Sequence, residues 1–318
     1  MRAVRIQRHG GPEALEVVEV PEPHPGPGEV AVRLGAIGVN FIDIYHREGL
    51  YALSLPTTLG TEGAGTVIEV GDGVEEFSIG DRVAFANQLG SYAEVICIPA
   101  ARAVPVPPSL SIEQAAAVLL QGMTVHALAI SCARIKPGSV AVVHAAAGGA
   151  GSLLVQFLVR KLAATVIATA STPDKRERAR SLGAQVVTDY VDVVEAARSF
   201  GGATVVFDGV GAATFDTSLA ALAPRGMLVL YGQASGPVAP IDPQELNRRG
   251  SLFLTRPSLV HYVETTAELR WRAQSVFADV AAGTLEVTVG ARFTLDAAAD
   301  AQQALAARAT VGKVLLLP

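Results

Sequence analysis

Val140-Ala-Val-Val-His-Ala-Ala-Ala-Gly-Gly-Ala-Gly151 decides the reading of the fold. Four strand-forming positions run into a glycine-rich turn, and the turn opens an apolar-periodic segment, Ser152–Leu162, expected to be helical. This is the layout of a dinucleotide-binding fingerprint, Ala146-x-Gly148-x-x-Gly151. Glycine lets the backbone approach a pyrophosphate, and the helix start offers unpaired N–H groups and a positive dipole end to the anion. Gly148, Gly149, Ala150 and Gly151 are therefore expected cofactor contacts. A tight strand-to-helix connection also explains a glycine cluster, and Ala146 replaces the first glycine of the pattern.

The surrounding chain raises the motif above a coincidence. A second strand is expected at Thr165–Ser171, then a helix and a short strand Gln185–Thr188. Another helix precedes the strand Thr204–Asp208, and a helix near Thr214–Leu222 leads to the strand Met227–Tyr231. Such alternation with short connections predicts an α/β fold: a doubly wound parallel sheet with helices on both faces. Val140–Val159 has no charged side chain besides His144 and approaches membrane-span length. Gly148, Gly149, Gly151 and Ser152 interrupt it, as in a buried strand joined to a packed helix. No other segment reads as a span. The start, Met1–Gly10, carries three arginines and no apolar core, so no signal peptide is expected.

The chain has 318 residues, enough for two domains. Half of them are hydrophobic and 17% charged, which suits a packed core. A net charge of −5 disfavours electrostatic attraction to nucleic acid. Two cysteines, Cys97 and Cys132, make neither a zinc cluster nor a disulfide framework, so a reducing, cytoplasmic setting is expected.

The first third reads as β-rich: Met1–Gln7, Glu16–Val20, Glu29–Ala36, Gly60–Val70 and Asp81–Ala86 have strand character. Pro21–Gly28 contains four prolines and forms a rigid turn region. Ser111-Ile-Glu-Gln114 is a capping box that starts a helix. A second capping box, Thr265 with Glu268, starts a helix reaching about Ala282. The last strand, Lys313–Leu317, has no place that periodicity alone fixes.

Taken together, Gly38-Val-Asn-Phe-Ile-Asp-Ile-Tyr45, Leu59-Gly-Thr-Glu-Gly-Ala-Gly65, Val70-Gly-x-Gly-Val74, Gly80-Asp-Arg-Val83, Gln121-Gly-Met-Thr124, His144–Gly151 and Thr255-Arg-Pro257 resemble the medium-chain dehydrogenases/reductases. The closest resemblance is to the zeta-crystallin-like quinone oxidoreductases, and it covers essentially the whole chain. It implies a GroES-like β-rich catalytic domain over 1–122 and a Rossmann cofactor domain over 123–258. The segment 259–318 would return to the first domain, with cofactor and substrate held in the cleft between the two.

The resemblance also implies a chemistry. Zinc alcohol dehydrogenases of the superfamily place a cysteine where this chain has Asn40 and a histidine where it has Thr61. Around Leu120–Gln121, matching their third ligand, there is no cysteine, and the structural zinc loop is absent. A catalytic zinc polarises an alcohol oxygen and lowers its pKa. Without one, the expected reaction is reduction of an electron-poor acceptor, a quinone or a conjugated C=C, which spreads negative charge onto oxygen. The cofactor supplies the hydride and the protein the geometry.

Individual residues carry two readings each. The Asn40 amide binds the nicotinamide ribose or a substrate oxygen, or it stabilises a turn. Tyr45 donates a hydrogen bond or a proton to the developing oxyanion, or is a packed aromatic; a phenol of ordinary pKa ~10 is a neutral donor at pH 7. Tyr51 is read as a cleft wall, and Asp43 and Glu62 as structural. The resemblance places Thr124 beside the nicotinamide, counts Ile42 and Leu254 among the cofactor contacts, and matches Arg308 to a cofactor-contacting arginine. NAD-preferring domains carry an acid at the end of the second strand; here Ala170-Ser171-Thr172 is followed by Lys175 and Arg176. A hydroxyl and a cation suit the 2′-phosphate of NADPH, unless the basic residues are only a solvated helix face. In the family, the residues matching Lys175 and Tyr190 flank that phosphate. Gly209, Gly232 and Gln233 follow strand ends, where such sheets line the ligand crevice.

The expected activity is NADPH-dependent, zinc-independent quinone reduction, with an enoyl or alkenal reductase as the alternative. A non-catalytic NADPH- or RNA-binding crystallin-like role is a third reading, which the intact glycine turn and the acidic charge disfavour. Expected partners are a small-molecule quinone or enone and a second copy of the chain, through the apolar edge Ser251–Leu254. Neither a membrane nor a nucleic acid is expected.

Overall fold

The computed structural model describes all residues, Met1–Pro318. They form two compact units. One comprises 1–123, 263–281 and 287–318, and the other 124–262 and 282–286.

The second unit is built on a six-stranded sheet in the order Val186–Thr188, Thr165–Thr169, Val140–Val143, Ala203–Asp208, Leu222–Leu230, Phe253–Thr255. Every neighbouring pair is parallel. Parallel strands end on one edge, so each strand-to-helix turn opens on the same side. The strands are near-continuous apolar runs because helices such as Gly149–Gln156, Val193–Arg198 and Phe215–Ala221 accompany them. Val142, Ile167, Val206, Phe215, Leu219 and Leu228 are core residues of this unit.

The fingerprint helix begins at Gly149, three residues before the expected Ser152. Gly148 is its N-cap in extended conformation, and Gly149, Ala150 and Gly151 form its first turn. The amides of a first turn have no intrahelical acceptor, so poor helix formers are tolerated there. A Cβ at Gly151 would overlap the Ala145 carbonyl oxygen and come within 2.9 Å of its carbon. The third glycine is thus a close-approach requirement.

The first unit holds a seven-stranded sheet ordered Val289–Thr294, Lys313–Leu317, Glu29–Val39, Glu62–Val70, Arg82–Ala86, Val104–Pro105, with Val95–Pro99 also on Glu29–Val39. A three-stranded sheet orders Glu16–Glu19, Arg2–Ile6 and Thr57–Thr58. Glu29–Val39 is central and largely buried, packing Val30, Val32, Leu34 and Ile37 against Val67, Phe85, Ile98 and Leu316. Full burial of such side chains contributes roughly 1.5–3 kcal/mol each.

Strand pairing gives Lys313–Leu317 the place that periodicity does not. It runs antiparallel to Glu29–Val39, with Val314 opposite Val39 and Leu315 opposite Gly38. Continued by one residue, that register sets Lys313 across from Asn40.

The expectation that only Val140–Val159 approaches a membrane span needs correction. Ile112–Cys132 is one helical stretch of 21 residues, long and apolar enough to cross a bilayer. In this fold it is a core element, with 67% of its most apolar window buried by the rest of the protein. Ala115–Leu119 are fully or almost fully enclosed.

Candidate active site

In the first unit the chain leaves the central strand at Val39, caps a helix with Asn40 and runs through Phe41–Glu48. The Asp43 carboxylate reaches back to accept the Asn40 backbone N–H at 2.8 Å. The Asn40 side chain turns the other way. Its Nδ2 donates to the Gly38 carbonyl at 3.1 Å and to Glu62 Oε2 at 3.0 Å, while its Oδ1 accepts from Lys313 Nζ at 2.7 Å. An ammonium beside one atom of the amide fixes which atom is oxygen. Both amide hydrogens are committed inside the protein, and one oxygen lone pair remains. The reading in which Asn40 donates to a substrate oxygen is therefore not open in this geometry. Asn40 can still accept.

Glu62 is fully buried. One oxygen takes the Leu120 backbone N–H at 2.6 Å, and the other takes Asn40 and Lys313 Nζ at 2.5 Å. Lys313 is itself 2% exposed. Asp43 is also fully buried but meets neutral donors: Thr61 Oγ1 at 3.0 Å, Tyr92 Oη at 3.1 Å and the Asn40 N–H. Burial raises the Asp43 carboxyl to about 6 against these hydrogen bonds and the charge of Lys313. Burial and Asp43 together push the Tyr92 phenol well above its ordinary range. The network continues from Tyr92 to Gln302 at 3.4 Å and on to the buried Arg47 at 2.7 Å. The structural role expected of Asp43 and Glu62 is what their burial and partners describe.

Tyr45 is half-buried on the same helix, its ring 5.5 Å from that of Tyr51 in an edge-on arrangement. Tyr51 is exposed, and its backbone N–H donates to the Tyr45 carbonyl at 3.3 Å. Ile42 is half-buried beside them in sequence. Arg308 lies in the turn after the helix Ala298–Ala306, exposed and with positive φ.

In the second unit the expected cofactor residues follow successive strand ends along one edge. Gly148–Gly151 follow Val140–Val143; Ser171 and Lys175 follow Thr165–Thr169; Tyr190 follows Val186–Thr188; Gly209 follows Ala203–Asp208; Gly232 and Gln233 follow Leu222–Leu230. Lys175 sits in the first turn of the helix Pro173–Ser181, its backbone N–H on the capping Thr172 hydroxyl. Arg176 spends its guanidinium on the Ala170 carbonyl at 3.2 Å, so it braces the turn. Leu254 belongs to the edge strand itself, opposite Leu228. Thr124 is half-buried in the helix Ile112–His126.

A buried polar cluster lies beneath this edge. His144 Nδ1 is 2.8 Å from Thr169 Oγ1, and Nε2 is 3.0 Å from Ser218 Oγ. Ser218 and Thr214 both donate to Asp208 Oδ2 at 2.7 Å, while Asp208 Oδ1 accepts the N–H groups of Val210 and Gly211. With the Ser218 proton on Asp208, Nε2 of His144 must carry hydrogen and Nδ1 must accept. Burial lowers the His144 pKa and keeps it neutral, in spite of Asp208. The Tyr190 ring stacks on the imidazole at 5.7 Å. The cluster ties three strand ends together under the glycine turn.

Lys313 and Tyr92 are not among the residues that sequence reasoning singles out. Lys313 does leave a signal, a lone charge heading the apolar run Val314–Leu317. Tyr92 leaves none. Cys97 and Cys132 are free and partly covered; burial raises Cys97 to about 11 and pushes Cys132 up, so neither is an activated nucleophile. No group of three or more His, Cys, Asp and Glu side chains is arranged to hold a metal ion.

Comparison with known proteins agrees with both halves of this geometry. The alcohol dehydrogenase GroES-like domain family matches residues 26–108, and the zinc-binding dehydrogenase family matches 149–271. A quinone oxidoreductase of Pseudomonas aeruginosa is 41% identical over 324 residues, covering 100% of this chain and 99% of that protein. A 2-haloacrylate reductase of a Burkholderia species is 40% identical over 329 residues, covering 99% and 98%. The crystal structure of Escherichia coli quinone oxidoreductase complexed with NADPH superposes with a TM-score of 0.97 at 40% identity, covering 100% of both chains. The chain belongs to the quinone oxidoreductase family of the medium-chain dehydrogenases/reductases.

Proposed function

We propose that this protein is an NADPH-dependent reductase that delivers hydride to a quinone. The observation that carries the reading is the carboxyl edge of the parallel sheet. There a glycine turn opens a helix N-terminus, and the end of the second strand carries Ser171 and Lys175 where an acid would repel a 2′-phosphate. The residues fit the cofactor: Gly148, Gly149 and Gly151 put no side chain over the turn, and the first-turn amides of the helix have no intrahelical acceptor and are available to an anion. NADPH supplies the hydride when bound. The chain supplies the rest: amides and Lys175 for the phosphates, and the segment Gly38–Tyr51 for orientation.

Within that segment Asn40 has no donor to spare, so the donor facing an acceptor's developing oxyanion is assigned to Tyr45. A quinone anion takes protons from water, whereas an enolate from a conjugated C=C needs one on carbon. The kinship with a 2-haloacrylate reductase keeps conjugated C=C reduction as a second activity of the same site. We assign the protein to the cytoplasm, where two free cysteines persist reduced.

A homodimer through the edge strand Phe253–Thr255 completes the proposal. Phe253 is 57% exposed on a strand that pairs on one side only. Cofactor titration tests the first claim: NADPH is expected to bind about tenfold or more tighter than NADH, the scale of one charge-assisted contact, and equal affinities would sink it. An acceptor panel of quinones, alkenals and enoyl thioesters ranks the activities. A monomer mass at micromolar concentration in light scattering would refute the dimer.

A further inference from the structure

We propose that Lys313 is a positioning residue that fixes the orientation of the Asn40 amide, so that the atom offered to a ligand is its oxygen. The group Asn40 meets is then a hydrogen-bond donor, such as a cofactor ribose hydroxyl, and not an acceptor's carbonyl. The inference rests on the NADPH reading above for the identity of that ligand. It rests on the geometry alone for the orientation.

Three observations carry it. First, sheet register brings Lys313 across from Asn40: Val314 pairs with Val39, and each neighbour continues the pair by one residue. Residues directly opposite in an antiparallel pair share a face, so Lys313, Gly38 and Asn40 present one surface. Second, that surface is emptied for the lysine. A Cβ on Gly38 would overlap Glu62 Oε2 and stand 2.8 Å from Lys313 Cε. The glycine makes room for a buried ammonium. Third, the hydrogen-bond inventory closes. Glu62 spends one oxygen on the Leu120 N–H and the other on Asn40 Nδ2 and Lys313, which leaves the amide no alternative orientation of comparable quality. Turning the amide over would aim its NH2 at an ammonium and its oxygen at a carboxylate.

Helix and strand packing alone would not need this arrangement. A buried ion pair exchanged for neutral groups of similar volume is often no less stable. What the pair adds here is a direction for one amide at the head of the segment that carries Tyr45.

The test is the paired variant Lys313→Met with Glu62→Gln. It orphans no charge, so it is expected to fold with a melting temperature near that of the wild type. In it, the oxygen of the introduced glutamine keeps the Leu120 N–H, and its NH2 faces Asn40. The glutamine NH2 then competes with the Gly38 carbonyl for the Asn40 amide, and no ammonium holds the Asn40 oxygen, so the amide loses its single fixed orientation toward the ligand. Two readouts follow. In the cofactor-free protein, asparagine-selective 15N spectra should show the Asn40 side-chain amide shifted and less protected from hydrogen exchange than in the wild type, the signal being assigned by its loss in Asn40→Ala. In titration, the NADPH dissociation constant should rise roughly three- to tenfold, the scale of one hydrogen bond, and Asn40→Ala should match it. A folded double variant with unchanged Asn40 signals and an unchanged dissociation constant overturns the proposal and makes Lys313 a packing residue. A wild type that binds no NADPH overturns the cofactor reading instead, and the amide spectra still decide the orientation. A double variant that does not fold leaves the single variant Lys313→Arg as the arbiter: retained charge must preserve the Asn40 signals, and their loss in a folded Lys313→Arg protein counts against the role.

Discussion

Replacing Asp43 with asparagine should change how stability depends on pH. Asp43 is fully enclosed and takes its proton at about 6 in the folded protein, against an ordinary value of 3.8. The folded state therefore holds a proton that the unfolded chain releases between roughly pH 4 and pH 6. A raised carboxyl contributes stability that is complete below the unfolded pKa and is lost as pH rises through the folded one. A tenfold change in proton affinity is worth about 1.4 kcal/mol, so a rise of about two pH units costs about 3 kcal/mol between pH 4 and pH 7. The asparagine of the Asp43→Asn variant does not titrate, and its difference from the wild type isolates this contribution. His144, Glu94 and Glu245 are shifted in both proteins and cancel. Urea unfolding of the two proteins at pH 5, 6, 7 and 8 is the assay. The stability of the variant relative to the wild type should rise by about 1–2 kcal/mol from pH 5 to pH 7, given that part of the proton is already lost at pH 5, and then level off. Its absolute stability is a separate matter, because asparagine places an NH2 either where Oδ2 accepted from the Asn40 N–H and Tyr92 or where Oδ1 accepted from Thr61. Parallel pH profiles for the two proteins would show that Asp43 is ionised with no penalty, and the electrostatic account of the network would fail.

Gly38→Ala should drive the Lys313–Glu62 pair apart and destabilise the first unit by roughly 3–5 kcal/mol, the range for breaking a buried pair, read as a fall in melting temperature; an unchanged melting temperature would mean the strand simply yields. Lys175→Ala should raise the NADPH dissociation constant about tenfold and leave NADH nearly unaffected, since a charge-assisted phosphate contact is worth roughly 1.5–3 kcal/mol before solvent screening; equal losses for both cofactors would count against a 2′-phosphate role. Tyr45→Phe should lower turnover more for enones than for quinones while sparing NADPH affinity; a fall below about threefold for every acceptor, far under the ~10²–10⁴ typical of general acid help, would make the ring a wall.

The parallel sheet is legible in the sequence because each of its strands is a short apolar run closed by a turn and followed by a helix, a pattern that local sequence carries in full. The start of the fingerprint helix is not, and the reason is also local: Gly149-Ala-Gly151 reads as loop by propensity, yet a first helical turn tolerates glycine. The polar half-site is legible in its parts and not in its wiring. Asn40, Asp43 and Glu62 are all visible, but Lys313, 273 residues from Asn40, joins them only through strand pairing. No periodicity encodes that register. Tyr92 is hidden for a similar reason, because an aromatic entering a β core looks the same whether or not its hydroxyl holds a carboxylate.

That wiring gives the two buried carboxylates different partners. Glu62 meets an ammonium and one backbone amide, whereas Asp43 meets two hydroxyls and a backbone amide, none of them charged. Glu62 is therefore tied to Asn40 and Lys313 by direct contact, while Asp43, raised to about 6 by burial, is a group whose charge responds near neutral pH. The two roles are separable by experiment: a variant at Asp43 moves the pH dependence of folding, and a paired variant at Glu62 and Lys313 moves the direction of an amide. Were both variants to produce the same change, the network would be acting as a single unit and the division of labour drawn from its contacts would be wrong.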